Sequence, residues 1–195
     1  MGDDDTASPL HAETASRIKD LSDSGVPVFF MHGNRDFLLA SRYAEQAGMT
    51  LIADPTRIDL YGTPTLLMHG DTLCTDDTAY LAFRKQVRAP DWQRNFLTQP
   101  LAARKTMARQ MRMQSEVAKQ GKADEIMDVN AFEVAHVLRA HKHPRLIHGH
   151  THRPAHHTHQ VDGHDCERWV LPDWYARWGY VACDEAGCEL VEKSL

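Results

Sequence analysis

Long apolar runs are absent from this 195-residue chain. No stretch approaches the roughly 18 consecutive apolar residues of a membrane-spanning helix, so no such helix is expected. The opening residues, Met1-Gly2-Asp3-Asp4-Asp5-Thr6, are acidic and carry no apolar segment, and no secretory leader is expected. Cysteine is scarce. Cys74, Cys166, Cys183 and Cys188 form no C-x-x-C pair, and a chain of this length can bury a core without staples. Reduced thiols in a cytosolic compartment are therefore the expectation. There is no overall excess of positive charge either, since the net charge is -5, and no nucleic-acid partner is expected.

What is present is a globular composition, 42% hydrophobic and 25% charged, enough for one α/β domain or a domain with an inserted subdomain. The charge is unevenly placed. Residues 78–122 carry a net +8 and the remainder -13, so a local positive field sits in an acidic protein and suggests an anionic ligand there.

The stretch that organises the reading is His148-Gly149-His150-Thr151-His152, at the end of the apolar run Leu146-Ile147. Glycine permits a tight turn, and imidazoles two residues apart can point into one cavity as transition-metal ligands. Ten of the thirteen histidines lie between His136 and His164, so composition alone yields some pairs. Those at 156, 157, 159 and 164 follow no apolar strand and read as solvated.

Two further apolar runs end the same way. Val26–Met31 reads as a strand buried on both sides of a parallel sheet, and it ends in His32-Gly33-Asn34-Arg35-Asp36. A helix is expected from about Asp36 to Ala47. Pro64–Met68 ends in His69-Gly70-Asp71-Thr72. Ligand sites of open α/β sheets lie at the carboxyl ends of strands, so three such loops converge on one rim. Residues 76–140 switch to helical periodicity (Tyr80, Phe83, Val87; Leu101, Met107, Met111; Val129, Phe132, Val137), with Gly121 ending the long basic helix. This block reads as a helical cap inserted into a core made of 1–75 and 141–195. Short strands are expected at 169–171, 180–183 and 189–191.

Asn34, His69, His150 and His152 offer one amide oxygen and three imidazoles, a mixed set that suits catalytic Mn²⁺, Fe or Zn²⁺. Beside a basic cap, such a site points to hydrolysis of a phosphate ester or anhydride. Arg35 could form bidentate bonds to phosphoryl oxygens. A two-metal site also needs a bridging carboxylate, and no apolar strand here ends in Asp-x-His.

These loops resemble those of the calcineurin-type metallophosphoesterases, whose rim follows the order D-x-H, G-D, G-N-[HR]-[DE], H-G-[DH] and G-H-T-H. Within them the chain is most similar to the UDP-2,3-diacylglucosamine pyrophosphatases of lipid A biosynthesis. The matches are Gly33-Asn34-Arg35-Asp36-Phe37-Leu38, the run from His69 to Asp77, Ile126-Met127-Asp128-Val129-Asn130, and Ile147 to Pro154. The resemblance implies an α/β fold, a four-layer α/β/β/α sandwich with a helical lid. It implies a manganese enzyme, peripheral on the cytoplasmic face of the inner membrane, that splits UDP-2,3-diacylglucosamine into UMP and 2,3-diacylglucosamine 1-phosphate. By motif position Asn34, His69 and His150 would bind one Mn²⁺ and His152 the other. Asn34, Arg35, Asp77, Ser115, Lys119, Lys122 and His150 would contact substrate, with Arg35 and His150 closest to the chemistry. The family's D-x-H and G-D loops, and the strands they follow, have no counterpart before Gly2-Asp3-Asp4-Asp5. Weak metal binding, little turnover and poor solubility are expected for the chain as it stands. Two alternatives remain open: a catalytically dead module that binds the sugar-lipid or metal, and another phosphoesterase acting on nucleotides or phosphoproteins.

Overall fold

A computed structural model describes residues 1–120, 126–175 and 177–194. The described chain is mixed α/β and divides into two units, Met1–Ala53 with Ala79–Ala123 and Asp54–Thr78 with Asp124–Leu195.

In the first unit, Ser8 caps α1 (Pro9–Asp23), its hydroxyl accepting from the His11 amide, and proline opens the helix where its missing N–H costs nothing. β1 (Val28–Met31) pairs in parallel with β2 (Met49–Ile52), and α2 (Ser41–Gln46) lies between them in sequence. The structure differs from the sequence reading twice here. β1 is not buried on both faces, because β2 is its one strand partner among the described residues and Phe29 is 59% exposed. The helix expected from Asp36 begins only at Ser41. Asp36 instead accepts the Gly33 amide at 2.6 Å, which commits residues 33–36 to a turn. Asp3 supplies the cap that Ala40 cannot, its two oxygens accepting the amides of Ala40 (2.8 Å) and Tyr43 (3.1 Å).

The positive segment forms α3 (Thr78–Arg88), α4 (Pro90–Leu97) and α5 (Leu101–Gln120). Trp92 and Phe96, four residues apart, stack at 4.8 Å. Arg104 of α5 is buried and bonds to Asp4, whose carboxyl it holds below the usual range. Lys105 pairs with Asp5 at 2.6 Å. The acidic start of the chain is thereby a set of three separate ties rather than a solvated tail.

In the second unit, β3 (Thr56–Leu60) and β4 (Thr63–Met68) form a hairpin whose turn residues, Tyr61 and Gly62, both have positive φ. β4, β5 (Arg145–His148) and β7 (His164–Val170) are parallel neighbours, and β6 (Ala155–Val161) pairs antiparallel to β7 at the edge. α6 (Ala131–Ala140) packs its Val134 and Leu138 against Leu66, Met68, Leu73 and Leu146. Thus α6, expected within the cap, is core to the sheet-bearing unit, and its expected apolar marker Phe132 is 87% exposed. The last hairpin pairs β8 (Arg177–Asp184) with β9 (Gly187–Ser194).

Two expectations are corrected in this unit. Cys183 and Cys188 are disulfide-bonded, because the hairpin register sets them directly opposite with Cα atoms 4.1 Å apart; Cys74 and Cys166 stay free and buried. Residues 155–161 are a strand in which His157 and His159 are half-buried, His159 accepting from Arg168, whereas His156 and His164 are exposed as expected, stacked on Trp169 (3.9 Å) and His143 (4.3 Å). The end of α5 expected at Gly121 lies outside the described residues.

Candidate active site at the strand ends

Because β4, β5 and β7 run the same way, their carboxyl ends open on one edge of the sheet and present His69, His150 with His152, and Asp173 there. The imidazoles of His69 and His150 meet edge to face, ring centroids 5.0 Å apart. His152 Nδ1 lies 3.8 Å from a carboxylate oxygen of Asp173. Asp173 was missed in the sequence reading, although its position after the apolar run Trp169–Leu171 was a usable signal.

Backbone geometry holds the loops. His150 and His152 both adopt positive φ (69° and 57°), a conformation that costs a residue with a Cβ about 1 kcal/mol or more and persists only where neighbours enforce it. The enforcers are backbone bonds: Gly149 N to His69 O (3.0 Å), Thr151 N to Gly149 O (2.9 Å) and Leu171 N to His148 O (2.7 Å). Gly70 is needed because at its φ of 105° a Cβ would fall 2.7 Å from His148 Nδ1. Asp54 accepts the His69 amide at 3.2 Å.

Below this edge, His148 is fully buried and burial pushes its imidazole down to about 4, so it is neutral at physiological pH. The motif run 71–77 is clasped to 127–130. Asn130 caps α6 through Phe132 N (2.9 Å) and Glu133 N (3.2 Å), and its amide donates to both oxygens of Asp76. Arg153 donates to Asp128 at 2.7 Å. Arg153, Asp128, His159 and Arg168 line a cavity of about 290 Å³. Burial, with Asp128 nearby, raises the Cys74 thiol to about 12 and leaves it unreactive. The chain's Asp162-Gly163-His164 triplet is the β6–β7 turn, at the opposite end of β7 from the site, and Arg139 grips its carboxylate.

The remaining predicted residues fall in the other unit, apart from Asp77, which precedes α3 and donates its amide to Cys74 O. Asn34 and Arg35 sit on the turn after β1, where Arg88 donates to Gly33 O at 2.9 Å and lies over the Phe37 ring. Arg35 pairs at 3.1 Å with Glu116 of α5, beside exposed Ser115. Glu116 was also missed. The Lys119 side chain and Lys122 lie outside the described residues. The structure therefore brings His69 and His150 together in one unit, with His152 on the same loop as His150 but set against Asp173, and Arg35 with the Ser115 face of α5 in the other.

Paired imidazoles backed by short loops are a donor set that fits a first-row divalent ion. Among the described residues, no group of three or more His, Cys, Asp or Glu side chains converges as a complete metal site.

No protein-family model matches the chain. It is 53% identical to the UDP-2,3-diacylglucosamine hydrolase of Aromatoleum aromaticum over 95% of its own length and 76% of that protein's. It is 55% identical to the enzyme of that name from Cellvibrio japonicus (90% and 72% of the two chains). The chain belongs to the UDP-2,3-diacylglucosamine hydrolase family. The Klebsiella pneumoniae hydrolase adds 49% identity over 98% of the chain and 79% of the relative. Among the described residues no helix is long and apolar enough to cross a membrane.

Proposed function

We propose that this chain acts on UDP-2,3-diacylglucosamine in lipid A biosynthesis, cleaving its pyrophosphate to UMP and 2,3-diacylglucosamine 1-phosphate. The observation that carries the reading is identity near 50%, over most of the chain, to relatives that bear that hydrolase's name. The fold proposed is the metallophosphoesterase sandwich with a helical lid, and the working place is the cytoplasmic face of the inner membrane, bound peripherally.

Asn34, His69 and His150 would hold one Mn²⁺ and His152 would contribute to a second. When bound, the ions would supply an activated water and positive charge for the phosphoryl oxygens. The chain's own residues do the rest. His69 and His150 present ring nitrogens from loops locked by backbone bonds. Arg35 meets the charge that grows on the phosphoryl group, with Glu116 holding its guanidinium until substrate arrives. Asp77, Ser115, Lys119 and Lys122 contact the substrate.

Turnover is expected to depend on added Mn²⁺. The test is UMP release from UDP-2,3-diacylglucosamine by the purified chain across a Mn²⁺ titration. UMP that appears with Mn²⁺, disappears with chelator and falls about a hundredfold in kcat/KM with Arg35→Ala supports the reading. Intact substrate recovered from a tight complex would favour the binding-module reading instead. Preferential cleavage of nucleotides or phosphoproteins would move the chain to another branch of phosphoesterases.

A further inference from the structure

The sheet beneath the site buries an arginine whose hydrogen bonds, among the described residues, go to imidazoles, while the Asp128 carboxylate lines the same cavity and favours its charge. Arg168 of β7 is 6% exposed, and its two hydrogen bonds go to imidazoles: Nη1 to His148 Nε2 at 3.1 Å and Nε to His159 Nε2 at 3.0 Å. Burying a guanidinium is costly, and a neutral acceptor compensates it poorly. Asp128 offsets part of that cost through its charge, but the hydrogen bonds themselves are made to the two imidazoles, and it is these that give the guanidinium a role an apolar residue cannot fill.

That role follows from what a guanidinium can do. It donates at every nitrogen and accepts at none. The Nε2 atoms of both His148 and His159 must therefore accept, so a ring proton on His148 must sit on Nδ1. From there it donates to Gly149 O, 2.9 Å away. The opposite tautomer would set a lone pair of Nδ1 against the lone pairs of that carbonyl. Gly149 is the pivot of the site loop. Its carbonyl also accepts the Thr151 amide, its own amide donates to His69 O, and His150 and His152 follow at positive φ. His148 also fills the space that a Cβ on Gly70 would take, so one buried ring props both site loops.

We propose that Arg168 is a positioning residue: by donating to His148 it selects the Nδ1-protonated tautomer, and through the His148–Gly149 bond it holds the loop that presents His150 and His152. The link from loop to metal rests on the functional reading above; the link from Arg168 to tautomer does not.

The experiment uses the whole chain with ¹⁵N-labelled histidine. Long-range ¹H–¹⁵N spectra near neutral pH assign each ring nitrogen as protonated or accepting, with His148→Gln identifying the His148 signals. Mn²⁺ affinity is read in parallel by electron paramagnetic resonance. The unaltered chain is expected to show His148 with protonated Nδ1 and accepting Nε2. Arg168→Met, which keeps the stem and removes the donors, is expected to mix the tautomers and to weaken Mn²⁺ binding about tenfold or more, the usual scale for partners that orient ligands. Arg168→Lys, which restores a donor, should recover the tautomer and most of the affinity. A His148 protonated on Nε2 in the unaltered chain, or Arg168→Met with unchanged tautomer, would overturn the proposal. If Arg168→Met does not fold, Arg168→Lys and the unaltered chain still decide it by the same spectra. An unaltered chain that shows the expected tautomer yet binds no Mn²⁺ would sink the metal reading and leave the tautomer assignment standing.

Discussion

His148, at the end of β5, is fully buried and its ring meets protein partners on both nitrogens. Arg35, on the turn after β1, has its side chain 42% exposed and is held by one ion pair with half-exposed Glu116. The first arrangement spends folding energy in advance: two residues at positive φ, a glycine with no room for a Cβ and a buried cation all serve one loop. The second spends almost nothing until a ligand comes, because exposed ion pairs are worth little in water. Ligands of a metal gain from fixed geometry, whereas a group that receives a charged substrate gains from being solvated and free to re-pair. On the proposed function, the two regions would serve those different demands.

Substitution at Gly70 should break the rigid side most severely. Gly70→Ala puts a Cβ against His148 Nδ1 and Gly149 O at a φ of 105°, and should cost about 3 kcal/mol in urea unfolding, from strain plus overpacking. Gly163→Ala is the matched control: φ is also positive (80°) but the space is open, so only about 1 kcal/mol is expected. Equal losses at the two positions would mean that the close approach to His148 has no energetic weight.

Next in size is the clasp. Asn130→Ala removes the α6 cap and both bonds to Asp76, and should destabilise by about 1–2 kcal/mol, measured the same way. On the soft side, Glu116→Gln should change stability by less than about 0.5 kcal/mol. Its effect should instead appear in KM for UDP-2,3-diacylglucosamine and should shrink at high salt. A large loss of stability would show that Arg35 and Glu116 form a structural pair.

The smallest effect concerns pH. Arg139 holds the Asp162 carboxyl down at about 2 by two hydrogen bonds, with His143 adding a third contact. A carboxyl whose folded pKa lies below its unfolded value stabilises the fold above the unfolded pKa. That contribution is lost as pH falls through the window from about 4 to about 2. Asp162→Asn should flatten the fall of stability in that window, and an unchanged pH profile would contradict the assignment.

The site loops were legible because apolar strands that end in glycine and histidine carry their signal locally: β1, β4 and β5 end where the composition says they end. β6 was not legible. Its inward residues His157 and His159 are polar, and they face Arg168, a partner nine to eleven residues away that no periodicity announces. The Cys183–Cys188 bridge was hidden for the same reason, since it follows from hairpin register rather than spacing motif. α2 was read too long because the commitment of Asp36 to the Gly33 amide competes with helix formation, a choice that short polar side chains often make. Glu116 and Asp173 were overlooked because each gains meaning only from a neighbour distant in sequence.

On the proposed function, the strand-end imidazoles form the metal-holding part of the site. The most direct measurement is Mn²⁺ binding by electron paramagnetic resonance to the chain and to its His69→Ala/His150→Ala double variant, with folding checked by circular dichroism. The unaltered chain is expected to bind Mn²⁺, and the folded double variant to lose the tighter ion. Unchanged Mn²⁺ binding in that variant would contradict that reading and move the metal away from the ends of β4 and β5.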